Sequence, residues 1–388
     1  MSDFSLDARA LEERLQWARQ QARSGGVASV LSAAIRGEGL SVDQLAVLWY
    51  ADHVDSDSIY AVACAARRAC PRPLETFSPL YMTNTCDAEC RMCGMRRNNA
   101  ALQRETAALA TVVGQLRLLN QRGMHAVALL TGEYRRDNRA AALRYVNEAL
   151  HATMALRFNH VLVNVGSIDD TEYATLLDGM ARHSDGSLRS KLTMCTFQET
   201  YARESYAKFM GTDADNPRAD FDRRLVNFDR AHRAGMRVAN PGILVGLNPD
   251  LAFEMAALAL HAQHLLAKGM EVYLSVPRLR QIAGSRAQRG ASDAQFIRLV
   301  SLLSLGLPSC KIVITTRESA AIQRRLVPII TVLSAGSAAV APYTDAGARF
   351  PLETSQFEVI DQRPFEQVLR DHLRSDAVIE NFLPPAAY

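Results

Sequence analysis

The chain has 388 residues, 48% hydrophobic and 22% charged, with a formal net charge of +3. That is the composition of a globular protein of one large domain or two modest ones. Basic residues are interspersed with acidic ones, which argues against nucleic acid or an anionic membrane as partner, and no apolar run approaches the roughly 20 residues of a spanning helix.

Residues 1–75 begin with the charged amphipathic stretch MSDFSLDARALEERLQWARQQAR, contain no strand-like runs, and read as a helical N-terminal extension. That opening lacks the basic-then-apolar form of a signal peptide and sets a cytoplasmic expectation. Next, FSPLYMTNTC reads as a buried strand, and residues 106–122 as a helix with Leu109, Val112, Leu116 and Leu119 at helical spacing and Gly123 as its stop. HAVALLTGE reads as a strand, 138–156 as a helix and HVLVNVGS as a strand. KLTMCTFQ, VANPGILVG, EVYLSVP and KIVITTR continue the alternation. The helix at 250–268 carries one apolar stripe, Leu251, Met255, Leu258 and Leu265, and ends at Gly269. Seven strands, with an eighth around TVLSAGS, alternate with helices over residues 77–340. Near-continuous apolar strands of this kind form parallel sheets covered by helices. The α/β pattern predicts a complete or nearly complete (β/α)8 TIM barrel over 76–344, with a doubly wound open sheet as the alternative, since periodicity does not show closure. Residues 345–388 read as a short C-terminal tail packed on the barrel.

The stretch YMTNTCDAECRMCGMR places Cys86, Cys90 and Cys93, three of the seven cysteines, within eight positions directly after the first strand. Structural zinc takes four ligands, usually in two pairs, and no second pair follows at a suitable spacing. Cys195 and Cys310 fall on predicted strands, and Cys64 and Cys70 in the helical extension. Three thiolates suit a 4Fe–4S cluster that keeps one iron free of protein ligands, open to a small molecule.

With this spacing after a first barrel strand, the chain resembles the radical SAM superfamily, although Met92 stands where that family usually has an aromatic residue. The resemblance implies that the cluster binds S-adenosylmethionine (SAM) and cleaves it reductively. Thr131, Gly132 and Glu133 are similar to the family's segment contacting the SAM amino group, and Gly242, Leu244 and Gly246 of GILVG to the segment against which adenine stacks. FQETY and DFDRRLVNFDRA resemble segments of aromatic amino acid lyases. By that likeness Glu199 contacts the SAM ribose or polar end and Arg224 pairs with the SAM carboxylate, while Arg223 reads as a surface ion pair.

LLTGEY, LSVPRLR, ITTRES, VLSAGSAAVAPY and TSQF extend the likeness to the tryptophan-cleaving members of this family, which form 3-methyl-2-indolic acid. The resemblance implies L-tryptophan as substrate and a 5′-deoxyadenosyl radical that takes hydrogen from the amino nitrogen. Side-chain fragmentation and carboxyl migration follow, fed by a low-potential electron donor such as flavodoxin or ferredoxin. Arg317 would be the bidentate clamp on the substrate carboxylate, Tyr81 and Ser334 would donate hydrogen bonds, and Arg278 is the next candidate for the carboxylate. A structural reading pairs Arg317 with Glu318 instead. Two other functions stay open: cleavage of tyrosine at Cα–Cβ, and a non-enzymatic cluster carrier. Against a maturase-like tyrosine lyase, no cysteine follows Cys310.

Overall fold

Eight apolar runs form parallel strands: β1 (Leu74–Tyr81), β2 (Ala126–Leu130), β3 (His160–Asn164), β4 (Leu192–Cys195), β5 (Val238–Asn240), β6 (Glu271–Ser275), β7 (Lys311–Thr315) and β8 (Val332–Ser334). Each pairs with the next, and β1 pairs with both β8 (Glu75 with Val332) and β2 (Ser78 with Val127), so the sheet closes. Closure selects the (β/α)8 barrel over the open sheet. This computed structural model describes residues 2–285, 290–336, 352–373 and 378–383. The boundary expected at residue 344 lies outside the described residues.

The helices are α1 (Ala8–Arg23), α2 (Val27–Ile35), α3 (Val42–Tyr50) and α4 (Ser56–Ala69) before the barrel, then α5 (Leu109–Gln121), α6 (Arg136–Ala155) and α7 (Asp170–Leu176). After these come α8 (Arg203–Met210), α9 (Phe221–Leu225), α10 (Asn227–Arg233), α11 (Leu251–Ala267), α12 (Asp293–Gly306), α13 (Ala320–Leu326) and α14 (Phe365–Leu373). Local chemistry sets their ends. The Asp250 carboxylate accepts from Phe253 N–H at 3.0 Å to cap α11, and Gly269 beyond its end takes φ +76°. Helix α5 starts at Leu109, later than its apolar period suggests, because Thr106 is held by the Thr83 hydroxyl at 2.7 Å. Among the described residues no helix is long and apolar enough to cross a membrane.

Phe77, Ala128, Leu162, Tyr273 and Val313 fill the barrel interior. At its N-terminal mouth, buried Glu75 accepts from the Tyr273 hydroxyl at 2.6 Å and pairs with Lys311, which closes that end with a satisfied polar network. The open end of the barrel is therefore the C-terminal one, where barrel chemistry sits. The C-terminal segment adds β9 (Ile379–Glu380), parallel to the start of β1 through Leu74 with Ile379. His125 N–H donates to Asn381 O at 2.8 Å, so this segment fills the edge below β2.

The N-terminal helices lie against α11 and α12. Arg298 on α12 caps the C-terminus of α3: its guanidinium donates to Leu48 O, to Ala51 O at 3.0 Å and to Val54 O at 2.7 Å. Arg298→Met leaves three carbonyls, two of them buried, without their cationic donor. Charge-assisted hydrogen bonds contribute about 1.5–3 kcal/mol, so the denaturant midpoint should fall measurably. An unchanged midpoint would show that α3 is held by apolar packing alone.

Candidate active site

The loop after β1 has no regular ladder, so side chains as well as scattered backbone contacts satisfy its polar backbone groups. Asn84 Nδ2 donates to Gln103 O at 2.8 Å, and Arg104 Nη1 donates to Asn84 O at 2.9 Å and Met95 O at 2.8 Å. Asn99 Nδ2 donates to Gly94 O at 2.8 Å. These ties hold Cys86, Cys90 and Cys93 around one cavity of about 910 Å³, open mouth included, at the C-terminal end of the barrel. Gly132, at the end of β2, is where the loop meets the sheet. A Cβ there would lie 2.1 Å from Thr85 O and 2.8 Å from Cys86 Cα, so only glycine admits the cysteine loop.

Burial pushes the Cys86 and Cys90 thiols up to about 12, and it raises Cys93 as well. As free thiols they are neutral; as thiolates they need positive charge among them. Donors already face the sulfurs. Glu133 N–H and Ala88 N–H reach Cys86 Sγ at 3.3 and 3.4 Å, Gln356 Nε2 reaches Cys93 Sγ at 3.5 Å, and the Arg218 guanidinium lowers the cost of charge on Cys90. Among the described residues, no three acidic, His or Cys side chains converge on one metal ion. Three sulfurs spread around a shared cavity, two with hydrogen-bond donors and the third near the Arg218 charge, fit the corners of an iron–sulfur cluster and not a mononuclear ion. Of the other cysteines, Cys64, Cys195 and Cys310 are buried and Cys70 is exposed. Cys195 faces the barrel interior and its thiol lies 3.2 Å from Asn240 Oδ1.

Beside the cysteines lies a ring of four buried or nearly buried charges. Arg224 Nη1 meets Glu133 Oε2 at 2.8 Å and its Nε donates to Phe197 O at 2.6 Å. Glu133 also accepts from Ser167 N–H at 3.0 Å. Glu199 pairs with Arg218 at 3.2 Å. Glu199 adopts φ +69°, strain that non-glycine residues carry where the surroundings impose it. Here its N–H donates to Gly242 O at 3.2 Å and its carbonyl accepts from Leu244 N–H at 2.9 Å. Arg223, as the sequence suggests, pairs with Glu172 outside the cavity.

The cavity gathers most of the sequence-predicted residues: Tyr81, the three cysteines, the Thr131–Glu133 segment, Glu199, Arg224, Leu244 and Arg317 all line it. Gly242, Gly246 and Ser334 do not line it. A Cβ on Gly242 would meet the Phe197 ring at 2.7 Å, and one on Gly246, which has φ +97°, would lie 2.8 Å from Ala291 N. Both glycines permit packing around Leu244. Ser334 is buried as the last residue of β8. Tyr81 donates its hydroxyl proton to Gln356 Oε1 at 2.7 Å.

Arg317 is not paired with Glu318. That carboxylate turns to Arg278, at 3.0 Å from its Nε, and to Arg280 at 2.9 Å, and Arg278 also binds Asp293 at 2.6 Å. Arg278 is thereby saturated. Among the described residues, the Arg317 guanidinium has a long contact to Arg278 O at 3.5 Å, and its Cζ sits 3.2 Å from the centroid of the Phe357 ring. Burial lowers its pKa to about 10. It stays cationic at neutral pH, in the cavity, with no carboxylate of the described residues paired to it. Arg218, Gln356 and Phe357 belong to this site too; the last two fall in the TSQF segment of the likeness, which assigned them no role.

The fold and site together define a barrel enzyme class built around a three-cysteine cluster. No family model matches the chain. It is 27% identical over 262 residues to 2-iminoacetate synthase of Escherichia coli K12, 65% of this chain, and spans 63% of that enzyme's length. To the 2-iminoacetate synthase of Salmonella typhimurium it is 24% identical over 328 residues, 81% of each chain. The FeFe-hydrogenase maturase HydG from Carboxydothermus hydrogenoformans shares the fold with a TM-score of 0.81 and 24% identity, over 96% of this chain and 83% of that one. Methylornithine synthase (PylB) shares it with a TM-score of 0.67 and 17% identity, over 89% and 96%. The chain is a homologue of radical SAM enzymes of the aromatic amino acid lyase family. Their cofactors are a 4Fe–4S cluster and SAM, the group that the cysteine site fits.

Replacing Cys86, Cys90 or Cys93 with Ala removes one of three thiolates, and bound iron after anaerobic reconstitution should fall to near background. Gly132→Val should lower it too, by displacing Thr85 and Cys86, whereas exposed Cys70→Ser should keep the wild-type iron content. Full iron in any one of the three alanine variants would contradict the ligand assignment.

Proposed function

We propose that this chain is a radical SAM lyase that converts L-tryptophan to 3-methyl-2-indolic acid by side-chain fragmentation and carboxyl migration. Cys86, Cys90 and Cys93 would hold the cluster, with electrons from a low-potential donor such as flavodoxin or ferredoxin. Thr131, Gly132, Glu133, Glu199, Arg218, Arg224 and Leu244 would hold SAM. When bound, these groups supply reductive cleavage of the SAM carbon–sulfur bond and a 5′-deoxyadenosyl radical.

The observation that carries an amino acid substrate is Arg317. A guanidinium in a cavity with cluster ligands, without a paired carboxylate among the described residues and with its Cζ over the Phe357 ring, is set to receive a carboxylate through two parallel N–H donors. Stacking on the ring fixes the plane of the fork, so one end of the substrate is oriented before chemistry. Apolar walls from Leu130, Leu279 and Phe197 suit an aromatic side chain. Tryptophan, as opposed to another aromatic amino acid, rests on the likeness of the segments quoted above. The comparisons favour a second reading as well. 2-Iminoacetate is what an α-amino acid leaves behind when its side chain departs at Cα–Cβ, so a tyrosine lyase uses the same clamp.

Anaerobic turnover with SAM, a reductant and each aromatic amino acid, followed by mass spectrometry, separates the two. 3-Methyl-2-indolic acid from tryptophan supports the proposal; a methylphenol from tyrosine with tryptophan untouched replaces it with the second reading. Arg317→Lys keeps the charge and loses the planar fork. It should bind SAM normally and lower the ratio of amino acid product to deoxyadenosine by about tenfold, the order of one charge-assisted hydrogen bond. An unchanged ratio would remove Arg317 from the site.

A further inference from the structure

Residues 352–361 cross the mouth of the barrel as a strap tied on both sides. Gly94 N–H donates to Gln356 O at 2.8 Å and Gln103 N–H to Glu353 O at 2.7 Å, on the cysteine-loop side. Glu358 N–H donates to Gln281 O at 2.8 Å and Asp361 N–H to Thr316 O at 3.0 Å, on the side of the loops after β6 and β7. A Cβ on Gly94 would lie 2.7 Å from Ser355 O, so the strap lies directly on the cysteine loop. Its Gln356 side chain spans two groups of the site: Nε2 is 3.5 Å from Cys93 Sγ and Oε1 is 2.7 Å from the Tyr81 hydroxyl.

The direction of that relay follows from its ends. A ligating thiolate only accepts, so the amide NH2 must face Cys93 and the amide oxygen must face Tyr81. An amide oxygen only accepts, so Tyr81 must donate to it. With its one proton committed, Tyr81 has only lone pairs left for the cavity. A substrate amino group donates, whereas a carboxylate accepts. We infer that Gln356 is a positioning residue that fixes the hydrogen-bond polarity of Tyr81, so that Tyr81 receives the substrate's amino group and leaves its carboxylate to Arg317. This inference rests on the functional reading above. It reverses the role expected of Tyr81 from the sequence, where it was a donor. It also sets the amino nitrogen, the atom to be attacked, toward the side of the cavity that carries Cys93.

The relay has two separable halves. Gln356→Leu removes both: Tyr81 can turn its proton into the cavity, and Cys93 loses an N–H donor. Gln356→Glu keeps an acceptor for the Tyr81 proton, loses the donor to sulfur and adds a negative charge beside Cys93. Hydrogen bonds to cluster sulfurs raise the reduction potential, so both variants should lower it.

The test uses the anaerobically reconstituted holoenzyme with SAM. Affinities are measured for L-tryptophan and for indole-3-propionate, which has the same ring and carboxylate without the amine, alongside the cluster potential by redox titration. Wild type should prefer the amine-bearing ligand. Gln356→Leu should shrink that preference by about tenfold, the order of one charge-assisted hydrogen bond, while Gln356→Glu retains it, although both lower the potential. In a Tyr81→Phe background, Gln356→Leu should change the potential and leave the preference where Tyr81→Phe has put it. An unchanged preference in Gln356→Leu, or its loss in Gln356→Glu, would overturn the inference; the Glu variant decides the matter alone if the Leu variant does not fold. Wild type that binds tryptophan without preferring the amine overturns the inference alone. Wild type that binds no aromatic amino acid sinks the functional reading with it.

Discussion

Three buried sulfurs at the open end of one barrel cannot all carry charge unless positive charge is placed among them. Much of the site answers that constraint. The thiols of Cys86, Cys90 and Cys93 are each pushed up by burial, so an empty site is neutral and the thiolate form is created by the metal it binds. The cysteine loop lacks a β-ladder and spends its polar side chains on its own backbone, which keeps the sulfurs apart around a cavity. Gly132 and Gly94 are small where the sheet and the strap press against that loop.

A second layer of charge surrounds the first. Glu133 and Glu199 are each bound by a guanidinium, from Arg224 and Arg218, so the pocket beside the cysteines is balanced before any ligand arrives. Arg317 is not paired within that set, and its Cζ lies over the Phe357 ring. The two arrangements differ in what they invite. Paired charges form a polar lining for a zwitterion, and a lone stacked cation draws a single carboxylate. The strained backbone of Glu199 is the cost of carrying a carboxylate where the ends of β4 and β5 meet.

Much of this was legible in the amino-acid order, because strand periodicity and the Cys-x3-Cys-x2-Cys spacing are local signals. The cavity brings together Tyr81, Thr131, Glu199 and Arg317, which are far apart in the chain, because each follows a strand and barrel strands end on one face. What sequence could not supply were partners chosen across loops. Glu318 neighbours Arg317 but binds Arg278 and Arg280; adjacency along an irregular segment says little about direction. Arg218 lies between helices with no period to mark it. Gln356 and Phe357 reach the cavity only because their strap is hydrogen-bonded to the cysteine loop and the loops after β6 and β7. Gly242 and Gly246 lie within a segment whose middle residue, Leu244, is the one that faces the cavity.

A cluster held by three cysteines, with one iron left for SAM, is what the rest of the site serves. Mössbauer spectroscopy of the reconstituted enzyme, with and without SAM, addresses that directly. About four irons per chain are expected, with SAM shifting the signal of a single iron site and leaving the other three unchanged. A spectrum indifferent to SAM, or a stoichiometry of one metal ion per chain, would contradict it.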